Sequence, residues 1–212
     1  MDLHALAIVG GIWLSLLYSA TVMPASVWVI QLTVCRGGKT GLLAGLAMAL
    51  GQVPWCLAAS LVLFQFPALW QAADLWLRAA AAAFALWMAV RNARSAPVRI
   101  LRLEVRESGP TLFRQSFWRS LVMPWRLAVW AAFIVSVSVH LRGPGWEAAC
   151  LFTVGALAGQ MLWFAHFVVV AVLFGRRVPE DICLRSMNKF RLLATLVAGG
   201  LALIILAPIG LA

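Results

Sequence analysis

The residues of this chain that could do chemistry are few and isolated. Arg126, Gln52, Gln160, His166 and Ser26 stand singly within long apolar runs, and two prolines, Pro24 and Pro124, each follow a methionine. A proline inside a helix removes one i→i−4 hydrogen bond and opens the backbone. Carbonyls near Met23-Pro24 and Met123-Pro124 therefore need another polar partner or a cavity. The side chains beside these breaks suit recognition rather than bond-making. Arg126, two residues after Pro124, carries a planar guanidinium that matches a carboxylate, or it snorkels to nearby headgroups. Gln52 and Gln160 each donate and accept, which fits the backbone groups of an amino acid or a bond between helices. Ser26 bonds a carbonyl near Pro24 or touches a substrate. His166 is the mid-span group that titrates near neutrality, as a proton relay or as a structural hydrogen-bonding residue.

Other chemistries find no footing. No paired carboxylates and no nucleophile–base constellation share a common depth, so an enzyme is not expected. Cys35, Cys56, Cys150 and Cys183 form no C-x-x-C and no metal-ligand spacing, and they read as small core residues. A haem would need two histidines facing each other at similar depth. His4 and His140 fall near the outer surface, so neither metal nor cofactor is expected. A thiol-electron shuttle would need a cysteine beside each proline, and Met23-Pro24-Ala25-Ser26 and Met123-Pro124-Trp125-Arg126 hold none.

The elements that must position these residues follow from composition. Of 212 residues 64% are hydrophobic and 11% charged, against roughly half and a quarter in soluble domains. Such a chain needs lipid as its remaining solvent, and lipid admits only helices or closed barrels. Period-2 alternation is absent and runs such as Ala79–Val90 are continuously apolar, so helices are expected. Apolar stretches predict about six spans, near residues 3–34, 42–66, 70–90, 117–139, 148–174 and 192–206. The start, MDLHALAIVGG, lacks a basic leader, so the first run is expected to stay as a helix. The net charge of +10 is carried by the connections. Segments 35–41, 91–119 and 175–191 hold 14 of the 17 lysines and arginines. That bias places those three loops in the cytoplasm and both termini on the periplasmic side of an inner membrane. With the cations serving orientation, nucleic-acid binding is not expected. Residues 91–112 are Arg-rich and read as part amphipathic helix at the membrane surface. Trp70, Trp118 and Trp146 read as interface anchors, and Asp74 with Arg78 as an i,i+4 pair.

Two signals recur across the halves. Met23-Pro24 returns as Met123-Pro124, and Gly51-Gln52-Val53-Pro54-Trp55 returns as Gly159-Gln160-Met161-Leu162-Trp163. Three spans per half reverse direction, so the expected fold is all-α, with two inverted three-helix repeats whose first and fourth helices are proline-broken. The repeats fall at 1–95 and 113–212, joined by a basic connector at 96–112.

At these residues the chain resembles the LysE family of amino-acid exporters over nearly its whole length. Met23-Pro24-Ala25-Ser26 is similar to the family's T-P-G-P, and Gly37 to Leu42 to its G-R-R-A-G-L. Ala47 to Gln52 stands at its G-x-x-x-G-D, Leu77 to Ala89 at its L-K-x-x-G-A-A-Y-L-L-W-L-G, and Phe113 to Trp125 at its F-x-x-G-F-x-x-x-L-x-N-P-K. The family's acid is Gln52 here, its Asn is Met123 and its Lys is Trp125, so no carboxylate stands at the matching position. The resemblance implies alternating-access export of an amino acid or related small zwitterion. The expected substrate set is Met23, Pro24, Ala25, Ser26, Gln52, Met123, Pro124, Arg126 and Gln160, with His166 as a proton relay. The altered motifs and many tryptophans favour a second reading, a non-transporting membrane subunit of a larger complex. Either reading accommodates a homodimer or a membrane-complex partner.

Overall fold

The computed structural model describes residues 3–21, 23–94, 107–123, 125–137 and 145–174, and residues 192, 195–197, 199, 200 and 203 near the C-terminus. Every described element is a helix. In chain order they are α1 (Leu3–Thr21), α2 (Met23–Arg36), α3 (Gly38–Leu50), α4 (Val53–Gln65), α5 (Pro67–Arg94), α6 (Gly109–Leu121), α7 (Trp125–Val137) and α8 (Trp146–Phe174).

Proline sets half of these starts, because its fixed φ and missing N–H are tolerated in a first helical turn and not beyond it. Pro24, Pro54 and Pro110 are the second residues of α2, α4 and α6, and Pro67 opens α5. The expected first span is accordingly two helices, bent by 80° between His4–Ala20 and Ala25–Arg36. Between α2 and α3 the chain turns at Gly37, whose φ of 91° lies in the left-handed region. The expected second span carries a step at Gly51-Gln52, and the fourth region divides into α6 and α7. Helix α6 begins at Gly109, inside the segment expected to be connector, because extended Ser108 followed by Gly109-Pro110 starts a helix. The rest of the connector, the loop at 175–191 and nearly all of the expected sixth span lie outside the described residues.

Among the described residues two helices are long and apolar enough to cross a membrane, Gly38–Gln65 (α3 with α4) and Trp146–Leu173 (α8), and the bent pair α1–α2 makes a third if counted as one span. Large apolar side chains face outward, among them Trp13, Val62, Trp76, Leu162 and Val169. Such a surface suits lipid. Trp118 and Trp146 are exposed, while the side chains of Trp70, Asp74 and Arg78 lie outside the described residues.

The core sits between α1, α4, α7 and α8. Tyr18 of α1 stacks at 5.0 Å on Trp130 of α7 and meets Phe133 edge-on at 5.7 Å. Phe64 of α4 meets Phe152 of α8 at 6.0 Å. Where lipid surrounds the bundle, packing rather than water exclusion drives helix association, so small residues must admit close approach. The α1–α8 crossing shows this: Gly155 and Gly159, a G-x-x-x-G pair, lie against the backbone of Ile8 and Ile12, and Gly11 lies against Phe152 and Ala156. A Cβ at any of the three would collide with backbone.

Gly159→Val is expected to cost about 1–3 kcal/mol through overpacking. Gly109→Ala, at a position with open space around it, serves as the control. Thermal unfolding of the purified variants in detergent reads the difference, and equal stability of the two would contradict the close crossing.

Candidate functional site

The two G-Q pairs meet. Gln52 sits at the step between α3 and α4, and Gln160 in the middle of α8, both buried. The Gln160 Nε2 amide donates to Gln52 Oε1 at 3.1 Å across 108 residues of sequence. The step at Gln52 has a local cause. Pro54 has no N–H for the carbonyl four residues back, and the chain responds by tightening, with the Gln52 N–H donating to the Ala49 carbonyl at 3.0 Å in an i→i+3 bond. Gln160 has no proline near it and its helix is unbroken.

The tryptophans of the same motifs reach across to the proline breaks. Trp55 of α4 donates its indole N–H to the Leu121 carbonyl at 2.9 Å. That carbonyl lies at the end of α6, where the break at Met123-Pro124 removes helical donors. Trp163 of α8 donates to Ser26 Oγ at 3.0 Å, two residues after Pro24. Each motif thus holds the break that lies in the other half of the sequence. Sequence reading had the spacing of these tryptophans but gave them no role.

Arg126 is 5% exposed, on the first turn of α7. Its backbone N–H closes the break by donating to the Met123 carbonyl at 3.0 Å. Its Nη1 donates to Ser120 Oγ, and Ser120 in turn donates to the Met48 carbonyl at 2.6 Å. Arg126 Nε has no partner. Glu107 and Glu147, the acids whose side chains are described, are both exposed. Arg126 does not snorkel. It is folded inward and braces α6 against α7 and α3.

Between the glutamines and α7 lies a small cavity of about 10 Å³, lined by Gln52, Cys56, Trp130, Thr153 and Gln160 among others. That is room for about one water. Trp130 follows Arg126 by one helical turn, so both side chains face the same way from α7. Gln160 Oε1 and the Trp130 indole N–H also lack partners. No family model, curated protein or solved structure matches this chain. The site is therefore read from its own geometry.

Of the residues expected at a substrate site, Gln52 and Gln160 line this cavity, Arg126 lies one turn before Trp130 on α7, and Ser26 is bonded by Trp163 of α8. Ala25 is half-buried and packs against the cluster of Val29, Met48 and Phe164. Met123 is half-buried at the break. Met23 and Pro24 lie in the first turn of α2, with side chains outside the described set, and Pro124 lies outside the described residues. His166 is exposed on α8, its ring against the neighbouring Phe167. It is not gathered with the others, because residue 166 lies six positions beyond Gln160 and so faces away from the glutamine pair. Among the described residues no three His, Cys, Asp or Glu side chains group as metal ligands. Ser120 and Trp130 were not foreseen. Ser120 had a signal, since it stands four residues before Pro124 and carries the carbonyl that this proline cannot bond.

A double-mutant cycle of Gln52→Ala and Gln160→Ala in thermal unfolding should give a coupling of about 0.6–1.7 kcal/mol, the scale of buried interhelical hydrogen bonds in membranes. Strict additivity would show that the pair contributes nothing as a pair.

Proposed function

We propose that this protein is a secondary transporter of the LysE type, moving a small amino-acid-like solute across a bacterial inner membrane by alternating access. The observation that carries the reading is the reciprocal anchoring of two proline breaks by two G-Q-x-x-W motifs, with the glutamines joined between them. Inverted repeats place such breaks on a common pseudo-twofold axis near the bilayer midplane, where opened backbone faces a solute. The helix pairing accords with it: α8 packs on α1, and α3 and α4 pack on α6 and α7. These are corresponding pairs if the halves are exchanged. Arg126 supports the same reading, since a charge inside a span costs roughly 2.5–3.5 kcal/mol on insertion scales and marks a solute path more often than a packing site.

In this mechanism the present arrangement is the closed one, because a cavity of about 10 Å³ is far smaller than an amino acid. Opening separates α7 with its Arg126 from α4 and α8. The solute carboxylate then takes the guanidinium, and the glutamine amides exchange their mutual bond for bonds to the solute. His166, exposed toward the periphery, has no part in this path. The small cavity also favours the second reading, a non-transporting subunit of a membrane complex. Stoichiometric co-purification of a partner, with no solute-induced thermal shift, would select it.

Arg126→Ala and Gln52→Ala are each expected to abolish transport by purified protein in proteoliposomes while leaving it folded. Unchanged flux in both discards the site. For orientation, single cysteines at Lys39 and Arg91 should react with an impermeant thiol reagent from the cytoplasmic side only, and one at His4 from the periplasmic side. The opposite labelling pattern would invert the topology.

A further inference from the structure

Contacts between the two halves differ in kind on the two sides of the proline breaks. Trp28 of α2 follows Pro24 by four residues, and Ser116 and Arg119 of α6 precede Pro124 by eight and five. The Trp28 indole N–H donates to Ser116 Oγ at 3.3 Å, and the Arg119 guanidinium lies over the Trp28 ring, 4.5 Å from its centroid. About two turns further along α2, Arg36 donates to the Glu107 carbonyl just ahead of α6. Position 28 thus meets 116 and position 36 meets 107, so α2 and α6 run antiparallel and are clasped at both ends of their overlap. Beneath the clasp Leu32, Ala44 and Leu112 form a small buried cluster against Trp28. Beyond the breaks the joining groups are apolar. There Tyr18 of α1 stacks on Trp130 and meets Phe133 of α7, and none of the three side chains is more than 3% exposed.

We infer that Trp28 is the gate residue of the transporter, and that the seam it closes between α2 and α6, rather than the seam at Tyr18, opens to admit solute from the face that carries Lys39. This rests on the transporter reading above and adds its gate. Parting α1 from α7 would pull three aromatic side chains out of a packed core and leave a void. Parting α2 from α6 costs less. Arg36 and Arg119 are already exposed, so water or headgroups take over their contacts, an exchange that is nearly neutral. Trp28 is half-buried and makes both contacts at the middle of the seam, so its ring is the piece that must swing. Motion there reaches the glutamines through α6. One turn on from Ser116, Ser120 accepts from Arg126 and donates to the Met48 carbonyl, and the next carbonyl, of Leu121, takes the Trp55 indole. Displacing α6 from α2 therefore pulls on α4 and on the first turn of α7, while the Tyr18 stack holds the later turns of α7 on α1.

The test uses Cys56, which lines the glutamine cavity and is 2% exposed, as a reporter in the full chain with Cys35, Cys150 and Cys183 replaced by alanine. In proteoliposomes a membrane-impermeant methanethiosulfonate is added to one face at a time, and a separate single cysteine at Lys39 assigns the faces. Trp28→Leu should speed modification of Cys56 from the Lys39 face by at least about fivefold, and Arg119→Gln by about two- to fivefold, the scale of one exposed cation–π contact. The rate from the opposite face should not change. Monodisperse elution and thermal unfolding establish that each variant folds, and if Trp28→Leu does not, Arg119→Gln, at an exposed position, decides. Unchanged rates in the folded variants, or a gain from the opposite face, overturn the gate and leave the transporter reading standing. Failure of Cys56 to react from either face, in folded wild type and variants alike, overturns both.

Discussion

A backbone surrounded by hydrocarbon cannot leave its carbonyls and amides to water, so every opened turn must find a partner inside the protein. The prolines of this chain open several turns, and the rest of the site is arranged to answer them. The break after α6 is met twice, by the Trp55 indole on the Leu121 carbonyl and by the Arg126 amide on Met123. Beyond Pro24 the Trp163 indole bonds the Ser26 hydroxyl, a side-chain contact that ties α8 to α2. Indole suits this work because it brings one strong donor and a large apolar body, so it satisfies a carbonyl without importing further polar atoms that would themselves need partners.

The same constraint separates polar residues that close on their own helix from those that reach across helices. Several buried hydroxyls close on their own helix: Thr33 on Val29 at 2.7 Å, Thr153 on Ala149 at 2.8 Å and Ser15 on Ile12 at 3.0 Å. They leave the helix ladder intact, and of the three Thr153 also meets Ser60 of α4, at 3.4 Å. Gln52, Gln160 and Arg126 cannot close locally, since their polar ends lie too far from their own backbone. They meet one another, or Ser120, across helices, and such contacts require backbones to approach closely. Small residues allow it, with Gly155 and Gly159 against α1, and Gly51 placed so that a Cβ would stand 2.7 Å from the Phe117 carbonyl and 2.6 Å from Ser120 Cβ. Glycine-mediated approach and the polar centre are thus one design, because wider helix spacing would leave the amides out of reach.

Much of this was legible in the sequence because its signals are local. Helix type follows from uninterrupted apolar runs, and the breaks follow from Pro24, Pro54 and Pro124, whose missing N–H acts wherever it is placed. Repetition of G-Q-x-x-W marked the residues that meet, although not what they would meet. Less legible was anything that depends on which face a residue presents. His166 and Gln160 share α8 and differ by six positions, enough to turn one outward and the other into the core. Ser120, Trp130 and Tyr18 are ordinary residues of apolar helices until α7 is laid against α1 and α4. The inward fold of Arg126 was equally hidden, since snorkelling and burial differ only in side-chain direction.

The two halves answer the same constraint unequally, and the difference bears on how the bundle can move. In the first half Pro54 leaves Gly51 and Gln52 as a tightened turn between two helices of 13 residues. In the second, Gly159 and Gln160 lie within a continuous helix of 29 residues. Rotating α4 against α3 disturbs a joint whose ladder is already interrupted, whereas bending α8 would break intact i→i−4 bonds. Helix α8 also packs on α1, α2, α3 and α4, so distorting it would disturb four interfaces together. The stiff member of the glutamine pair is therefore Gln160 and the compliant one Gln52. A rearrangement that parts them costs least if α8 stays fixed while α4 pivots at Gly51-Gln52, carrying Trp55 and, through the Leu121 carbonyl, the end of α6.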